Sequence, residues 1–300
     1  MDKKLREFCM ANRLTALWKA PLSDFTSFRI GGVADAVLLP DREGALMELL
    51  SFLKRERIRF RLIGNGTNIY FADEGFRGVI ISTRRMRDVR VVGNTVRAAA
   101  GTPLNVLCRT LADRSLGGLE PLYGIPGTVG GAVVMNAGAF GSTIADHLTY
   151  VSVYRAEQGE IQTLPKQALG FSYRNSALLH EKETAILSVE FCFPTVNSEI
   201  ITEKMRQNIK RRMDTQPTAL PSAGSTFLRP EDGYAAAWIE KAGLKGLRIG
   251  GAAVSLKHAG FVVNVGDATA ADVNALIAEI QKRVLEQFGI SLIPEVEYIG

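Results

Sequence analysis

Residues 117–141 contain eight glycines among small and apolar residues, and this run limits the possible folds more than any other feature of the chain. Glycine loses more backbone freedom on folding than other residues do, so this many glycines need a compensating use. The same run contains isoleucine, valine, methionine and phenylalanine, which argues against a flexible polar linker. The run therefore predicts close approach of the backbone to a flat, partly apolar ligand.

A second glycine loop, Gly64-Asn65-Gly66-Thr67-Asn68, directly follows a predicted strand over residues 60–63. Its backbone N–H groups and the Thr67 hydroxyl could bind a phosphate. The loop lacks the third glycine of a dinucleotide fingerprint and the lysine of a P-loop. An ordinary turn at the end of a strand is therefore an equally good interpretation of this loop alone.

The spacing of apolar residues predicts an alternating strand–helix unit, followed by a region richer in strands and then by a third region. Predicted helices cover residues 2–13, 41–57, 103–114, 199–213, 234–242 and 270–288. Predicted strands cover residues 60–63, 78–82, 89–92, 95–98, 150–155, 161–164, 185–193, 252–256, 261–265 and 292–299. We expect an α+β fold with domains at residues 1–82, 83–196 and 197–300.

The composition, 46% hydrophobic and 22% charged residues with a net charge of +5, is typical of a soluble globular protein. The basic residues are spread along the chain, which makes nucleic acid a weak hypothesis and suits anionic small ligands. No apolar run reaches membrane-spanning length, and the N-terminal residues lack the apolar segment of a signal peptide. We therefore expect no membrane insertion and a cytoplasmic protein.

Cysteines and clustered basic residues have unremarkable interpretations. Cys9, Cys108 and Cys192 are far apart and lack metal-ligand spacing, so we expect buried free thiols and no metal site. The basic residues at 210–212 predict a solvated helix face. His258 is expected to form structural hydrogen bonds rather than to act as an acid or base.

Several motifs, taken together, resemble the UDP-N-acetylenolpyruvoylglucosamine reductase family. Three carry most of the resemblance: the Gly64–Asn68 loop, the run at 124–141, and Pro221-Ser222-Ala223-Gly224-Ser225-Thr226-Phe227. The same order is kept by Arg29-Ile30-Gly31-Gly32, Ser172-Tyr173-Arg174-Asn175-Ser176, residues 243–264 and Pro294-Glu295-Val296-Glu297. The resemblance covers nearly the whole chain. The short distance from Phe193 to Ser225 matches the shorter form of that family, without its extra tyrosine-bearing loop, and Thr67 replaces a serine common there.

The resemblance implies a two-part FAD-binding region of the vanillyl-alcohol-oxidase-like (PCMH) type, residues 1–82 and 83–196, and a C-terminal α+β substrate-binding domain, residues 197–300. Noncovalent FAD is expected, because His147, His180 and His258 lie outside both glycine loops. The implied FAD-binding residues are Gly64, Asn65, Gly66, Thr67, Asn68, Gly124, Ile125, Pro126, Gly127, Thr128, Gly130, Gly131, Asn136, Ala137 and Gly138.

The family reaction implied for the chain uses NADPH as co-substrate and reduces the enolpyruvyl group of UDP-N-acetylglucosamine enolpyruvate to UDP-N-acetylmuramate, in peptidoglycan precursor synthesis. Ser225 matches the family's proton donor. Arg174 and Glu295 match its other two active-site residues, with Arg174 binding the substrate carboxylate and Glu295 assisting polarisation or protonation. Arg229 could contact the UDP diphosphate. We expect a monomer.

Taken singly, these residues can be interpreted without any catalytic function: Ser225 as a loop serine, Arg174 as a surface arginine and Glu295 as an edge-strand carboxylate. Only their joint position in one pattern favours catalysis. Two alternatives to the reductase remain. One is an FAD-dependent oxidase of the same superfamily that acts on another substrate, and the other is a sugar-nucleotide-binding flavoprotein without turnover.

Overall fold

The computed structural model describes residues 2–181 and 183–300, and these residues form helices and strands throughout the chain. The α-helices are α1 (Asp2–Ala11), α2 (Glu43–Arg55), α3 (Leu104–Asp113), α4 (Val129–Val134), α5 (Ser198–Thr215), α6 (Ala235–Lys241) and α7 (Ala270–Phe288). The strands are β1 (Thr15–Pro21), β2 (Val33–Leu39), β3 (Phe60–Ile63), β4 (Ile69–Phe71), β5 (Phe76–Ser82), β6 (Val89–Val92), β7 (Thr95–Ala99), β8 (Gly138–Ala139), β9 (Ser142–Thr143), β10 (Leu148–Arg155), β11 (Glu160–Pro165), β12 (Thr184–Cys192), β13 (Arg248–Ile249), β14 (Ala252–Val254), β15 (Val262–Asn264) and β16 (Glu297–Ile299).

The chain divides into two compact units, each built from segments that are distant in sequence. The first unit comprises Met1–Trp18, Asp35–Asn65 and Arg77–Lys210. The second comprises Lys19–Ala34, Gly66–Phe76 and Arg211–Gly300. The three domain boundaries drawn from the sequence stay a prediction.

A four-stranded sheet in the order β1-β2-β5-β3 belongs largely to the first unit, and β3 and β5 run parallel in it. Helix α2 buries its apolar stripe, Leu46, Leu49, Leu50 and Leu53, in the hydrophobic core of this region. These residues recur at the spacing of one helix face. Acidic Glu43 in the first turn and two basic residues in the last turn complement the helix dipole.

A five-stranded antiparallel sheet, in the order β11-β10-β12-β7-β6, forms the second sheet of the first unit. The hairpin of β6 and β7 is the one that Gly93-Asn94 predicts, and Gly93 has a φ of +57° in its turn. The apolar face of α3 and the glycine-rich run pack in the core of this region. The run is therefore part of a folded core, and it contains helix α4 and strand β8, which pairs with β9 directly after the run.

The second unit combines a three-stranded sheet, β13-β14-β15, with the parallel pair β16-β4. Its core is formed mainly by one face of α7, together with α6 and the strands. Helix α7 begins with a capping box, in which Thr269 and Asp272 each bond the other's backbone N–H, and it ends before Gly289, which has a φ of +71°. The predicted bounds of this helix are confirmed.

Some expectations from the sequence are wrong. Strands β1, β2 and β4 and helix α4 were not predicted, and the strand predicted over 292–299 is ordered as a strand only from Glu297 onwards. Cys192 is exposed, because it lies at the end of β12, whereas Cys9 and Cys108 are buried as expected. Arg212 is buried, so residues 210–212 are not a uniformly solvated face. Across residues 2–181 and 183–300, every helix is too short or too polar to cross a membrane.

Candidate active site

The first half of the Gly64–Asn68 loop lies against the glycine-rich run within the first unit. Asn65 Nδ2 donates a hydrogen bond of 2.9 Å to the Pro126 carbonyl, and Ser82 Oγ donates one of 2.9 Å to the Gly64 carbonyl. A Cβ atom at Gly64 would overlap Thr128 Oγ1. The structure thus brings together two segments that the sequence identified separately, and glycine at position 64 is what allows the contact.

The glycine-rich run is held by the turn that precedes α3. Backbone N–H groups of Val129 and Gly130 donate to the carbonyls of Thr102 and Ala100, at 2.9 and 2.8 Å. A Cβ atom at Gly130 would lie 3.0 Å from Ala100 Cβ, so glycine permits this close packing. These bonds leave Gly131 exposed at the start of α4. Backbone bonds therefore hold the run, and Gly131 is an exposed backbone position within it.

Arg174 lies in a tight turn beside the same run. Ser172 and Asn175 exchange two backbone hydrogen bonds, at 3.1 and 3.2 Å, and Arg174 has a left-handed φ of +52° between them. Its Nη2 atom donates to the Gly138 carbonyl at 3.1 Å, and the side chain is half-buried. The structure therefore places Arg174 next to residues of the predicted FAD-binding run.

The second half of the loop belongs to the second unit. The Gly66 carbonyl accepts from the Ser27 N–H at 3.0 Å, and Asn68 Nδ2 donates to the Glu295 carbonyl at 3.0 Å. Gly66 has a φ of +64°, and a Cβ there would overlap the Phe25 carbonyl. The chain passes from one unit to the other directly after Asn65.

Ser225 and Glu295 lie on neighbouring extended segments of the second unit. The Glu295 N–H donates to the Thr226 carbonyl at 2.8 Å, and the Leu228 N–H donates to the Ile293 carbonyl at 2.9 Å. The Ser225 side chain is exposed and that of Glu295 is half-buried, whereas Phe227 is buried. These bonds bring the two predicted catalytic residues close together, although they are 70 positions apart in the chain.

Two further candidates lie in the second unit. The Arg229 guanidinium stacks over the Tyr234 ring at 4.2 Å, and both side chains are exposed. His258 Nδ1 accepts a hydrogen bond of 3.1 Å from the Gly260 N–H, and burial lowers the pKa of His258. This contact agrees with the expected structural part for His258.

Two side chains that hold these segments were missed from the sequence. Asn105 Oδ1 accepts from the Gly124 N–H at 2.7 Å, and Ser27 Oγ donates to the Ser222 carbonyl at 2.6 Å. Both act through backbone partners that are 19 and 195 positions away. Neither residue lies in a motif that would have identified it.

The comparisons with known proteins match both regions. Residues 34–165 match the model of an FAD binding domain, and residues 216–299 match that of the UDP-N-acetylenolpyruvoylglucosamine reductase C-terminal domain. A UDP-N-acetylenolpyruvoylglucosamine reductase of Caldanaerobacter subterraneus is 43% identical over 297 residues, which cover 99% of this chain and 97% of the relative. The chain belongs to the UDP-N-acetylenolpyruvoylglucosamine reductase family.

Solved structures agree with membership of the reductase family. The crystal structure of the Thermus caldophilus member has a TM-score of 0.80 at 32% identity, and the alignment covers 96% of this chain and 99% of that one. A berberine bridge enzyme variant aligns over 65% of this chain and 44% of its own, with a TM-score of 0.50 at 16% identity, which concerns the fold alone. The predicted fold, a two-part FAD-binding region with a C-terminal α+β domain, is confirmed.

The residues of the first unit fit the flavin cofactor of the reductase family. Asn136 Oδ1 is buried without a hydrogen-bond partner among the described residues, as an acceptor awaiting a ligand would be. Glycine at position 64 allows the close contact with Thr128, and the exposed Gly131 also lies near the Thr128 hydroxyl. The prediction of FAD as cofactor is confirmed by the match to the FAD binding domain. The individual contact residues stay a prediction.

No cluster of three or more His, Cys, Asp or Glu in the described parts of the chain could hold a metal ion.

Proposed function

We propose that the protein is an FAD-dependent enzyme that uses NADPH to reduce the enolpyruvyl group of UDP-N-acetylglucosamine enolpyruvate, giving UDP-N-acetylmuramate for peptidoglycan synthesis. The observation that carries this proposal is the 43% identity to a named reductase over nearly the whole of both chains. The pairing of the Ser225 and Glu295 segments supports it, because the Glu295 N–H donates to the carbonyl of Thr226, the residue directly after Ser225.

The Gly64–Asn68 loop and the glycine-rich run would hold FAD, and the bound flavin, once reduced by NADPH, would provide the hydride needed at the terminal carbon of the enolpyruvyl group. The residues of the chain then have to stabilise the negative charge that develops on the substrate and donate one proton to it. Arg174 binds the substrate carboxylate with its planar guanidinium, and it stabilises the enolate-like charge that develops next to that carboxylate.

Ser225 donates its hydroxyl proton to the enolpyruvyl carbon that carries the carboxylate, next to the terminal carbon that receives the hydride. A serine hydroxyl is a very weak acid, so it can protonate only a strongly basic carbon such as that of an enolate. Glu295 assists polarisation or protonation, and as a donor it would need a raised pKa through burial. Arg229 contributes to binding of the UDP diphosphate.

The decisive experiment is NADPH oxidation by the purified holoenzyme without oxygen, with and without UDP-N-acetylglucosamine enolpyruvate. We expect oxidation to continue through many turnovers only when this substrate is present. A yellow protein that oxidises NADPH without any dependence on the substrate would contradict the reductase. Turnover that needs oxygen and does not depend on this substrate would show that oxygen, rather than the enolpyruvyl group, accepts the electrons.

The remaining proposals concern the setting of the reaction. The protein acts as a cytoplasmic monomer that holds FAD noncovalently and does not insert into membranes. Within it, residues 1–82 and 83–196 form the flavin-binding subdomains, and residues 197–300 form the substrate-binding domain. Analytical ultracentrifugation of the holoenzyme tests the monomer, and release of FAD by acid precipitation tests noncovalent binding.

A further inference from the structure

Three side-chain hydrogen bonds join residues 134–138 to the turn that carries Arg174. Ser176 Oγ donates to the Val134 carbonyl at 2.8 Å, and Arg174 Nη2 donates to the Gly138 carbonyl at 3.1 Å. Between them, Asn136 Nδ2 donates to the Ser172 carbonyl at 2.8 Å. The middle bond is the only one of the three in which the run, rather than the turn, provides the side chain.

Asn136 holds the base of the Arg174 turn. The Ser172 carbonyl that accepts from Asn136 Nδ2 also accepts from the Asn175 N–H, at 3.2 Å. The bond from Asn136 therefore holds Ser172, the first residue of the turn, in place. Arg174 has an unfavourable left-handed φ of +52°, so the turn needs support from its surroundings.

Asn136 is itself placed rigidly. It is 6% exposed, and it has a φ of +43°, a region in which asparagine is tolerated better than most residues. The Nδ2 bond also sets the direction of Oδ1, which is buried with no partner among the described residues. A buried asparagine kept only for stability would be expected to use both of its polar atoms.

We propose that Asn136 is a positioning residue for Arg174, acting through the Ser172 carbonyl to set the guanidinium for the substrate carboxylate. The inference rests on the proposed function, since that function gives Arg174 its ligand. It gives Asn136 a second function, which its position in the predicted FAD-binding run does not imply.

Two variants distinguish the proposed positioning function of Asn136 from a general effect on folding. Asn136→Gly removes the side chain and accepts the positive φ without strain, and Asn136→Asp keeps the size but replaces the donor with an acceptor that faces the Ser172 carbonyl. Ser198→Ala is the control, because it removes a side-chain-to-backbone bond, to the Ala112 carbonyl at 2.8 Å, elsewhere in the first unit. Each variant is purified with FAD bound.

Calorimetric binding of UDP-N-acetylmuramate and of UDP to the oxidised holoenzyme provides the readout. The first ligand has the carboxylate and the second lacks it. We expect both Asn136 variants to bind UDP-N-acetylmuramate about tenfold more weakly while UDP binding stays within about twofold. Ser198→Ala should bind both ligands as the wild type does. If Asn136→Gly does not retain FAD, the Asp variant alone decides.

A double variant gives the second test. If Asn136 acts through Arg174, adding Asn136→Gly to Arg174→Ala should weaken UDP-N-acetylmuramate binding no further than Arg174→Ala does alone. Additive losses, equal losses for UDP, or unchanged binding in the single variants would each overturn the inference. A wild-type protein that binds neither ligand and shows no substrate-dependent turnover would instead refute the proposed function, and the inference with it.

Discussion

At the scale of the residue, the backbone on both sides of Ser225 fixes the position of this serine. Gly224 has a φ of +82° immediately before the serine, and the Thr226 hydroxyl and backbone are bonded into the second unit directly after it, through Val262, Gly260 and Glu295. The exposed Ser225 hydroxyl is therefore held on a fixed segment, which is the condition for a positioned proton donor.

Ser225→Ala tests the proton donor directly. We expect reduction of the flavin by NADPH to proceed at nearly the wild-type rate, because this step does not use the hydroxyl. Reduction of the enolpyruvyl substrate should fall by about 100-fold or more, the contribution of a general acid. Anaerobic stopped-flow measurement of the two half-reactions separates them, with Ser222→Ala as a control in the same loop. Normal product formation by the Ser225 variant would refute the assignment.

Gly64→Ala tests the close contact between Gly64 and Thr128, two of the predicted FAD-binding residues. The added Cβ overlaps Thr128 Oγ1, and Thr128 cannot turn away without losing its bond to the Gly131 N–H. We expect FAD to dissociate roughly tenfold more readily, or more so, since overpacking of this kind is rarely absorbed. Flavin absorbance after dilution measures this loss.

Gly44→Ala is the matched control for Gly64→Ala. Gly44 lies in the first turn of α2, and a Cβ there would meet nothing within 4 Å. Alanine also has the higher helix propensity, so this variant should keep FAD and become slightly more stable. Equal FAD affinity in both variants would show that the Gly64 contact does not shape the flavin site.

The catalytic candidates could be named from the sequence only through the family resemblance. Serine, arginine and glutamate are common residue types, and the intervals between positions 174, 225 and 295 carry no chemical information. The bond between the Glu295 N–H and the Thr226 carbonyl brings two of the three together. It depends on a backbone pairing that no local pattern predicts.

At the scale of the element, helix α7 depends on its capping box. The carboxylate of Asp272 accepts hydrogen bonds from the N–H groups of Thr269 and Gly251, both at 3.0 Å. These two backbone bonds hold the pKa of Asp272 below its ordinary value of 3.8. The helix start and the loop before β14 therefore share one carboxylate.

Asp272→Asn should destabilise the protein in a pH-dependent way. Because the pKa of Asp272 is lower in the folded state, the charged carboxylate stabilises the fold above about pH 4. This stabilisation is lost as the pH falls below 3.8 through the folded-state pKa. We expect the variant to lose up to roughly 1 kcal/mol in the free energy of unfolding at pH 7, the ordinary size of a cap, and much less near pH 3.

Urea unfolding at the two pH values measures this difference. Asp267→Asn is the control, since Asp267 is exposed and has a φ of +51° that asparagine tolerates. A deficit for Asp272→Asn that is as large at pH 3 as at pH 7 would show that the carboxylate charge does not stabilise the helix.

The elements also show where sequence patterns are sufficient. The predicted range of helix α7 agrees with the structure, in which the apolar spacing, the Thr269 N-cap and the terminal Gly289 all favour the same helix. Helix α4, Val129–Val134, was missed because two of its six residues are glycines, which disfavour helix, and tertiary bonds to Thr102 and Ala100 support it instead. Strand β16 was predicted too long because its partner, β4, was not predicted and pairs only three residues.

At the scale of the whole molecule, the C-terminal unit depends on segments from the first quarter of the chain. Phe28, Ile30 and Tyr70 are at most 2% exposed and belong to the same hydrophobic core as α6 and α7. Strand β16 pairs with β4, and the Asp73 carboxylate accepts from the N–H groups of Ala270 and Ala271 at the start of α7, at 2.8 and 3.0 Å. Residues 211–300 alone would lack all of these contacts.

A fragment of residues 211–300 should therefore not fold by itself, although it contains the whole match to the family's C-terminal domain. Without Phe28, Ile30 and Tyr70 its core has a cavity of three large side chains, and deletions of this kind cost about 3–5 kcal/mol for each aromatic residue. This loss approaches the entire stability of a small domain. We expect a fragment with poorly dispersed amide NMR signals and no cooperative thermal transition, while the full chain has both. A cooperative transition in the fragment would mean that α7 and its sheet can bury their apolar faces without the N-terminal segments.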